Sequence, residues 1–391
     1  MLARPRTALV LSGGGARGAY QVGVLRGLAD IGLLGAERCP FDVLVGSSAG
    51  AINAASLAAH AACAGDAVDA LERVWGEMVP QQVFRTDLWS LGHIGMQWVR
   101  DLTFGGALRH VAPKALLDTA PLWDLLRARV PLERIRPHVE AGTLGALAIP
   151  ATDLYGSIGV VFLEAPPDTP LWMRTRWQVE RTRITVAHLM ASSAIPVLFP
   201  SVEIGGRHFA DGSVRNTAPL SSAINLGADR IVAVGVRGPT RAAGPRRMRR
   251  GAPTVAQVAG VLLDAVLLDA IESDVEHSAR VNASLGGARR HDAGTAAPPF
   301  RPVDVLWLRP SRSLGAVAAE LADRIPLVVR YLLRGLGSDE ATTELASYLL
   351  FDAAYTRRLI EIGREDVAAR GEEIRRFFWE PRVTGRLART G

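Results

Sequence analysis

Ser48 stands in Gly46-Ser47-Ser48-Ala49-Gly50, between a buried-looking apolar run and a stretch of small residues. A serine at the tip of a tight strand-to-helix turn is a nucleophile candidate. Such a turn strains the backbone and demands neighbours with almost no side chain, and Gly46, Ala49 and Gly50 meet that demand. The turn lifts the hydroxyl off the sheet and sets it at a helix N-terminus, where free N–H groups and the helix dipole favour developing negative charge. Ser47 is the neighbouring alternative, but only Ser48 has glycine both two before and two after it. A small-residue packing turn is the bland reading of the same letters.

A second glycine-rich stretch, Gly13-Gly14-Gly15-Ala16-Arg17-Gly18, also follows an apolar run and opens a helical pattern. Consecutive glycines free several N–H groups to converge on one anion. Two chemistries fit: an oxyanion hole beside Ser48, or a dinucleotide pyrophosphate site, since the run satisfies G-x-G-x-x-G. A dinucleotide site wants an acidic residue at the end of the second strand, about 20 residues on. Glu37 has roughly that spacing but precedes the second strand, and that strand ends at Gly46 instead. The oxyanion hole is the favoured reading, and Arg17 suits an anionic group in either case.

These residues need elements to hold them. Thr7–Leu11 reads as a buried strand, residues 16–31 as a helix, residues 41–45 as a second strand and residues 51–62 as a small-residue helix. Strand, loop and helix twice in succession argue for a parallel α/β sheet. Residues 81–129 carry scattered aromatics (Phe84, Trp89, Trp98, Phe104, Trp123) without alternation, and read as helices and loops over the sheet, a lid being one use of them. Strands are expected again at 144–149, 157–164, 231–236 and 304–308, with a hairpin around Gly205-Gly206 and a helix at 186–192. Residues 240–253, with Arg246 to Arg250, and residues 286–302 read as exposed loops flanking a long helix at 255–285. From Leu314 onward the pattern is helical.

Composition bounds the rest. At 391 residues the chain is long enough for one large core with an appended part. A 48% hydrophobic and 21% charged make-up is that of a globular protein and excludes wholesale disorder. Two cysteines, Cys39 and Cys63, make no disulfide framework, so a reducing compartment is expected. The apolar N-terminal run is too short for a signal sequence, and no stretch reaches the roughly 18 apolar residues of a membrane span. Net charge is +6, carried almost wholly by arginine, with Lys114 the only lysine. Such a surface is open to anionic headgroups, or simply reflects an arginine-rich composition. No zinc spacing, aromatic RNA-binding signature or helix-turn-helix points to nucleic acid, and no Cys/His or carboxylate cluster points to a catalytic metal.

Four blocks stand in order: the glycine loop, the Gly46–Gly50 turn, Ala191-Ser192-Ser193-Ala194-Ile195-Pro196, and Asp211-Gly212-Ser213. Together they resemble the patatin-like phospholipase family, whose blocks are G-G-G-x-[RK]-G, G-x-S-x-G, A-S-x-x-x-P and D-G-[GA]. The resemblance covers residues 7–225 and implies a three-layer α/β/α sandwich with a mostly parallel central sheet. The sheet would continue over 226–310, and a C-terminal helical extension would occupy 311–391. It implies a serine lipid acyl-hydrolase without cofactor or metal, acting on a lipid or fatty-acyl ester, with Ser48 as nucleophile and Asp211 as general base. The oxyanion hole would be made by N–H groups around Gly13, Gly14 and Gly15, with Arg17 and Gly18 beside them. One letter departs from the pattern: Ser213 stands where Gly or Ala is usual, and its hydroxyl could compete for Asp211.

An aspartate with an ordinary pKa near 3.9 is a weak base at neutral pH, so the dyad needs burial to raise it. A histidine base is the alternative, and His277, His291 and His208 are the positions to test. Two other functions share these residues: a transacylase using the same Ser48, and a nucleotide-binding protein using the glycine loop. A cytoplasmic protein with peripheral membrane contact is expected, through residues 84–104, the arginine loop or residues 321–336.

Overall fold

The computed structural model describes residues 5–35, 39–85, 115–216, 218–239, 270–291, 301–325, 330 and 340–380. In chain order the strands are β1 Thr7–Leu11, β2 Val43–Gly46, β3 Ala146–Asp153, β4 Ile158–Glu164, β5 Met173–Arg174, β6 Trp177–Arg181, β7 Val202–Ile204, β8 Arg207–Asp211, β9 Arg230–Val234 and β10 Asp304–Leu308. The helices are α1 Gly18–Asp30, α2 Ala49–Ala59, α3 Ala64–Gly76, α4 Ala120–Arg129, α5 Ile135–Glu140, α6 Val186–Ser192, α7 Leu220–Asn225, α8 Ala270–His291, α9 Leu314–Glu320, α10 Glu340–Leu349, α11 Ala353–Ala369 and α12 Gly371–Trp379.

The strands form one sheet in the order β10-β9-β1-β2-β3-β4-β6-β5, with β8 added against β3 and β7 against β8. From β10 through β3 every neighbouring pair is parallel. β1 lies in the middle, and its apolar run Thr-Ala-Leu-Val-Leu is buried along its whole length. A central parallel strand is covered on both faces and so needs no polar alternation. Its residues still divide by parity. Leu9 and Leu11 join a large core with Tyr20, Leu57, Leu71 and Leu359, while Ala8 and Val10 join a second core with Leu220, Ala223 and Ile271. The sheet therefore separates two helical layers, a three-layer α/β/α sandwich. Each fully buried leucine or valine in it contributes roughly 1.5–3 kcal/mol.

The parallel register carries the two glycine-rich turns to the same place. Leu11 pairs with Gly46, so β1 and β2 end side by side and their following loops leave the same edge of the sheet. The crevice outside the carboxyl ends of parallel strands is where α/β folds bind ligands. β8 arrives from the opposite direction: it is antiparallel to β3, with Ala151 opposite Asp211. That reversal sets Asp211 at the end of its strand and toward the same crevice.

The C-terminal helices close one face. Gly23 of α1 and Gly363 of α11 let the two backbones touch: a Cβ on Gly23 would stand 2.1 Å from the Ile360 carbonyl oxygen, and one on Gly363 would stand 2.4 Å from that of Tyr20. Neither position tolerates a side chain.

Several expectations need correction. α1 starts at Gly18, after a 3-10 turn at Gly15–Arg17, because the tight glycine loop must first straighten. The elbow helix begins at Ala49, directly after Ser48. Residues 286–291, expected as loop, continue α8, so His291 ends a helix. The twin glycines there are tolerated within a long helix at about 1 kcal/mol each. Trp89, Trp98, Phe104, the Arg246–Arg250 loop, residues 255–269 and most of 326–339 lie outside the described residues. Among the described residues no helix is long and apolar enough to cross a membrane.

Candidate active site

Ser48 is the last residue before α2 and has φ 53 and ψ −125. A left-handed φ on a non-glycine residue costs about 1–3 kcal/mol and persists only where the surroundings impose it. Here several contacts impose it. The Ser47 amide donates to the Leu11 carbonyl at 3.1 Å, which locks the elbow to the end of β1. The Ser48 amide donates to Ser192 Oγ at 3.0 Å, and Ser192 in turn donates to the Pro150 carbonyl at 2.6 Å. Gly50 closes the turn against β1: a Cβ there would lie 2.5 Å from the carbonyl oxygens of both Leu11 and Ser12. Ser48 is 3% exposed and lines a cavity.

Asp211 is fully buried. Its amide donates to the Ala194 carbonyl at 2.8 Å, and its own carbonyl accepts from Thr152 Oγ1 at 2.9 Å, so strand and α6 loop together fix its backbone. Oδ1 accepts from the Ser213 amide at 2.8 Å, whereas Oδ2 is buried without a hydrogen-bond partner. Burial pushes the carboxyl pKa up to about 6, while the Ser213 amide and the nearby Ser48 and Ser213 hydroxyls hold it from rising further. Neither hydroxyl completes a hydrogen bond to Oδ2. A carboxylate with one oxygen tethered, one oxygen empty and a pKa close to neutrality has the properties of a general base.

The third element is the glycine loop. Gly13 lies against Ser48: a Cβ there would come within 3.2 Å of Ser48 Cβ and 2.6 Å of Ser213 Oγ. Ser213, the departure noted in the fourth block, thus packs against Gly13 through its side chain and serves Asp211 through its amide. Gly15 has φ +53, and a Cβ there would stand 2.3 Å from the Tyr348 carbonyl oxygen. Gly14 packs on Val236, and Gly18 on Ala49 and Trp75. A buried polar network braces the loop from beneath. Gln21 Nε2 donates to the Ser12 carbonyl at 2.7 Å, Asn53 Nδ2 donates to the Gly18 carbonyl at 3.1 Å, and Trp75 Nε1 donates to Asn53 Oδ1 at 2.9 Å. The loop lies against the elbow, as an oxyanion hole requires. Glu37, the acidic residue weighed for a dinucleotide, is outside the described residues.

Arg17, assigned from sequence to anion binding beside the loop, is 1% exposed. Its Nε donates to Ser347 Oγ at 2.7 Å, Nη1 donates to Tyr348 Oη at 3.3 Å, and the guanidinium lies 4.3 Å from the Tyr348 ring centroid.

The cavity that opens from Ser48 and Gly15 is walled by α2 (Ala49, Ile52), α3 (Leu71, Val74, Trp75), α4 (Leu122, Leu126), Phe199 and Phe351. Its lining is almost wholly apolar, the shape and chemistry of a site for a hydrocarbon chain. No described histidine lines it. His208 bonds Ser201 at 3.1 Å and stacks edge-on against Tyr155, away from a base's role. His188 caps α6, its ring accepting from the Thr185 amide at 3.0 Å, and burial lowers its pKa to about 4. Among the described residues no group of three or more His, Cys, Asp or Glu could hold a metal ion.

In the sequence Ser192 stands only as a letter of the third block; its task, holding the Ser48 amide, shows only in the fold. Gln21, Asn53, Ser347, Tyr348 and Phe351 carry no local signal in the sequence; they reach the site through packing, from α1, α2, α10 and the turn after α10.

Uncharacterised NTE family proteins of Mycobacterium bovis and Mycobacterium tuberculosis are 28% identical over 249 residues, or 62% of this chain and 52% of theirs. The chain thus spans about half the length of those relatives. Among solved structures, VipD from Legionella pneumophila overlays 78% of this chain and 61% of its own at 14% identity and a TM-score of 0.33. A human GIVD cytosolic phospholipase A2 overlays 94% and 60% at 12% identity and a TM-score of 0.34. Residues 9–224, more than half of the chain and including both Ser48 and Asp211, match the patatin-like phospholipase family. This chain belongs to the patatin-like phospholipase family.

Proposed function

We propose that the protein is a serine lipid acyl-hydrolase of the phospholipase A or lysophospholipase type, working through Ser48 and Asp211. One observation carries the reading: a strained serine at a helix N-terminus lines an apolar cavity, and its hydroxyl lies near enough to a buried aspartate with one empty oxygen to hold down that carboxyl's pKa. Ser48 Oγ attacks the ester carbonyl carbon while its proton passes to Asp211 Oδ2. The carbonyl oxygen becomes an oxyanion held by amides around Gly13 to Gly15 and by the N-terminus of α2, each such donor being worth about 3–4 kcal/mol. The tetrahedral intermediate collapses, the C–O bond breaks, and Asp211 returns its proton to the leaving alcohol. A water then attacks the carbonyl carbon of the acyl-Ser48 ester and gives its proton to Asp211, the bond to Ser48 Oγ breaks, Asp211 returns the proton to that oxygen, and the fatty acid leaves.

The apolar cavity supports a fatty-acyl chain as the group held on Ser48. Peripheral contact with a lipid surface belongs to the same reading, because such a chain must leave an interface to enter. The test is hydrolysis of a p-nitrophenyl ester and of a lysophospholipid by wild type and Ser48→Ala. Turnover of both that disappears in the folded variant, a loss of at least about 10³-fold, is expected. Substantial turnover by Ser48→Ala would end the proposal. Addition of a glycerolipid acceptor separates hydrolysis from acyl transfer by product.

A further inference from the structure

We propose that Arg17 is a positioning residue for catalysis: it ties the glycine loop to the C-terminal helix α10, making the Ser347–Phe351 turn a working part of the active site. The inference rests on the reading of Ser48 as the nucleophile. It departs from the sequence-based assignment of Arg17 as a group facing an anionic ligand.

Four observations converge. First, the Arg17 side chain is almost completely buried, it donates to Ser347 Oγ and Tyr348 Oη, and it is not among the residues that line the cavity. Second, it stacks 4.3 Å from the Tyr348 ring, so the planar fork is held by its face as well as by its edge. Third, the same helix end touches the loop directly, because the Tyr348 carbonyl occupies the space where a Gly15 Cβ would be. Fourth, Phe351, two residues beyond α10, lines the cavity that opens at Ser48 and packs edge-on against Phe84 at 6.1 Å. None of Ser347, Tyr348 or Phe351 falls within the family-matched residues 9–224.

The physical need is clear. Gly15 is in the left-handed region and follows two further glycines, Gly13 and Gly14, so the loop has little intrinsic preference for one form. Oxyanion donors help only when already aimed at the developing charge, and a displacement of about 1 Å can cost 10²-fold in rate. Gln21 and Asn53 brace the two ends of the loop, at Ser12 and Gly18. Arg17 braces it from the other side, through an element far away in the chain.

The test uses the full chain. Arg17→Ala is expected to lower kcat about 10²-fold on a short, uncharged p-nitrophenyl ester with KM nearly unchanged. Arg17→Lys, which keeps the charge and loses the fork, should recover only part of that loss. Ser347→Ala combined with Tyr348→Phe leaves Arg17 in place and should lower kcat several-fold. Adding Arg17→Ala to that pair should cost much less than it costs wild type, since coupled sites are not additive. Amide hydrogen exchange over residues 12–18 should quicken in each variant while α1 and the central strands stay protected. A folded Arg17→Ala with wild-type kcat and unchanged exchange would overturn the inference. So would a loss confined to KM for anionic phospholipids, which would make Arg17 a ligand contact. If wild type hydrolyses no ester, the proposed function fails instead, and the exchange measurement still decides the tie.

Discussion

The motif-bearing part of the chain and its C-terminal helices meet at one cavity but are written very differently. Residues 9–224 hold all four sequence blocks, with Ser48, Asp211 and the glycine loop. Residues 340–380 hold no motif, yet they supply Tyr348 against Gly15, two partners for Arg17, and Phe351 in the cavity wall. Chemistry demands particular atoms at particular strained positions, so only a few residue types serve and a pattern results. A cavity wall or a brace demands only bulk and one or two polar contacts, so many sequences serve and no pattern results.

The contrast can be broken by experiment, beginning with the largest effect. Asp211→Asn should reduce ester turnover about 10³- to 10⁴-fold, the scale seen when a catalytic carboxylate is neutralised without loss of shape. Because the carboxylate must be ionised to accept a proton, wild-type kcat/KM should rise with pH through about 6 and level off above it. Stability should move the opposite way. The folded carboxyl holds its proton up to about 6, against an ordinary value of 3.8, so its contribution is full below 3.8 and is lost as pH rises through about 6. Asp211→Asn stays neutral and should therefore unfold less readily than wild type at pH 8, by up to about 3 kcal/mol, with the gap closing toward pH 4. A flat pH–rate profile across 5 to 8 would remove Asp211 from the base's role.

The next effect tests the motif-free side. Phe351→Ala enlarges the cavity without touching Ser48 or Asp211. It should cost roughly tenfold in kcat/KM for long-chain esters and little for acetate or butyrate esters, the range set by apolar contacts in a pocket. Equal losses on short and long chains would show that the C-terminal turn acts on chemistry alone. The smallest effect is at the elbow's support. Ser192→Ala frees the Ser48 amide and should lower kcat several-fold and stability by about 1 kcal/mol. An unchanged rate would mean that Gly50 and the Ser47–Leu11 hydrogen bond suffice to hold the turn.

Local chemistry made the elbow and the glycine loop legible. Thr7–Leu11 and the run into Gly46 are strands with turn glycines at their ends, and such signals act over a few neighbouring residues. Asp211 was legible only through its block, because nothing in its own neighbourhood distinguishes a catalytic aspartate from a turn aspartate. Even the departure at Ser213 was visible as a letter, but its outcome was not. Whether that hydroxyl would compete for the carboxylate or pack on Gly13 depends on where the loop from β1 lies.

By itself the sequence determined the strand–turn–helix units, the strained serine and the order of the four blocks, since these follow from short-range backbone geometry and residue size. Tertiary structure alone decided the near-neutral pKa of Asp211, which comes from burial by the α6 loop, β3 and the elbow together. It alone set Arg17 against α10, and brought Phe351 into the wall of the cavity that Ser48 lines. Those outcomes depend on which helix packs on which, and that is settled by the summed burial of two cores, not by any stretch of chain that could be read alone.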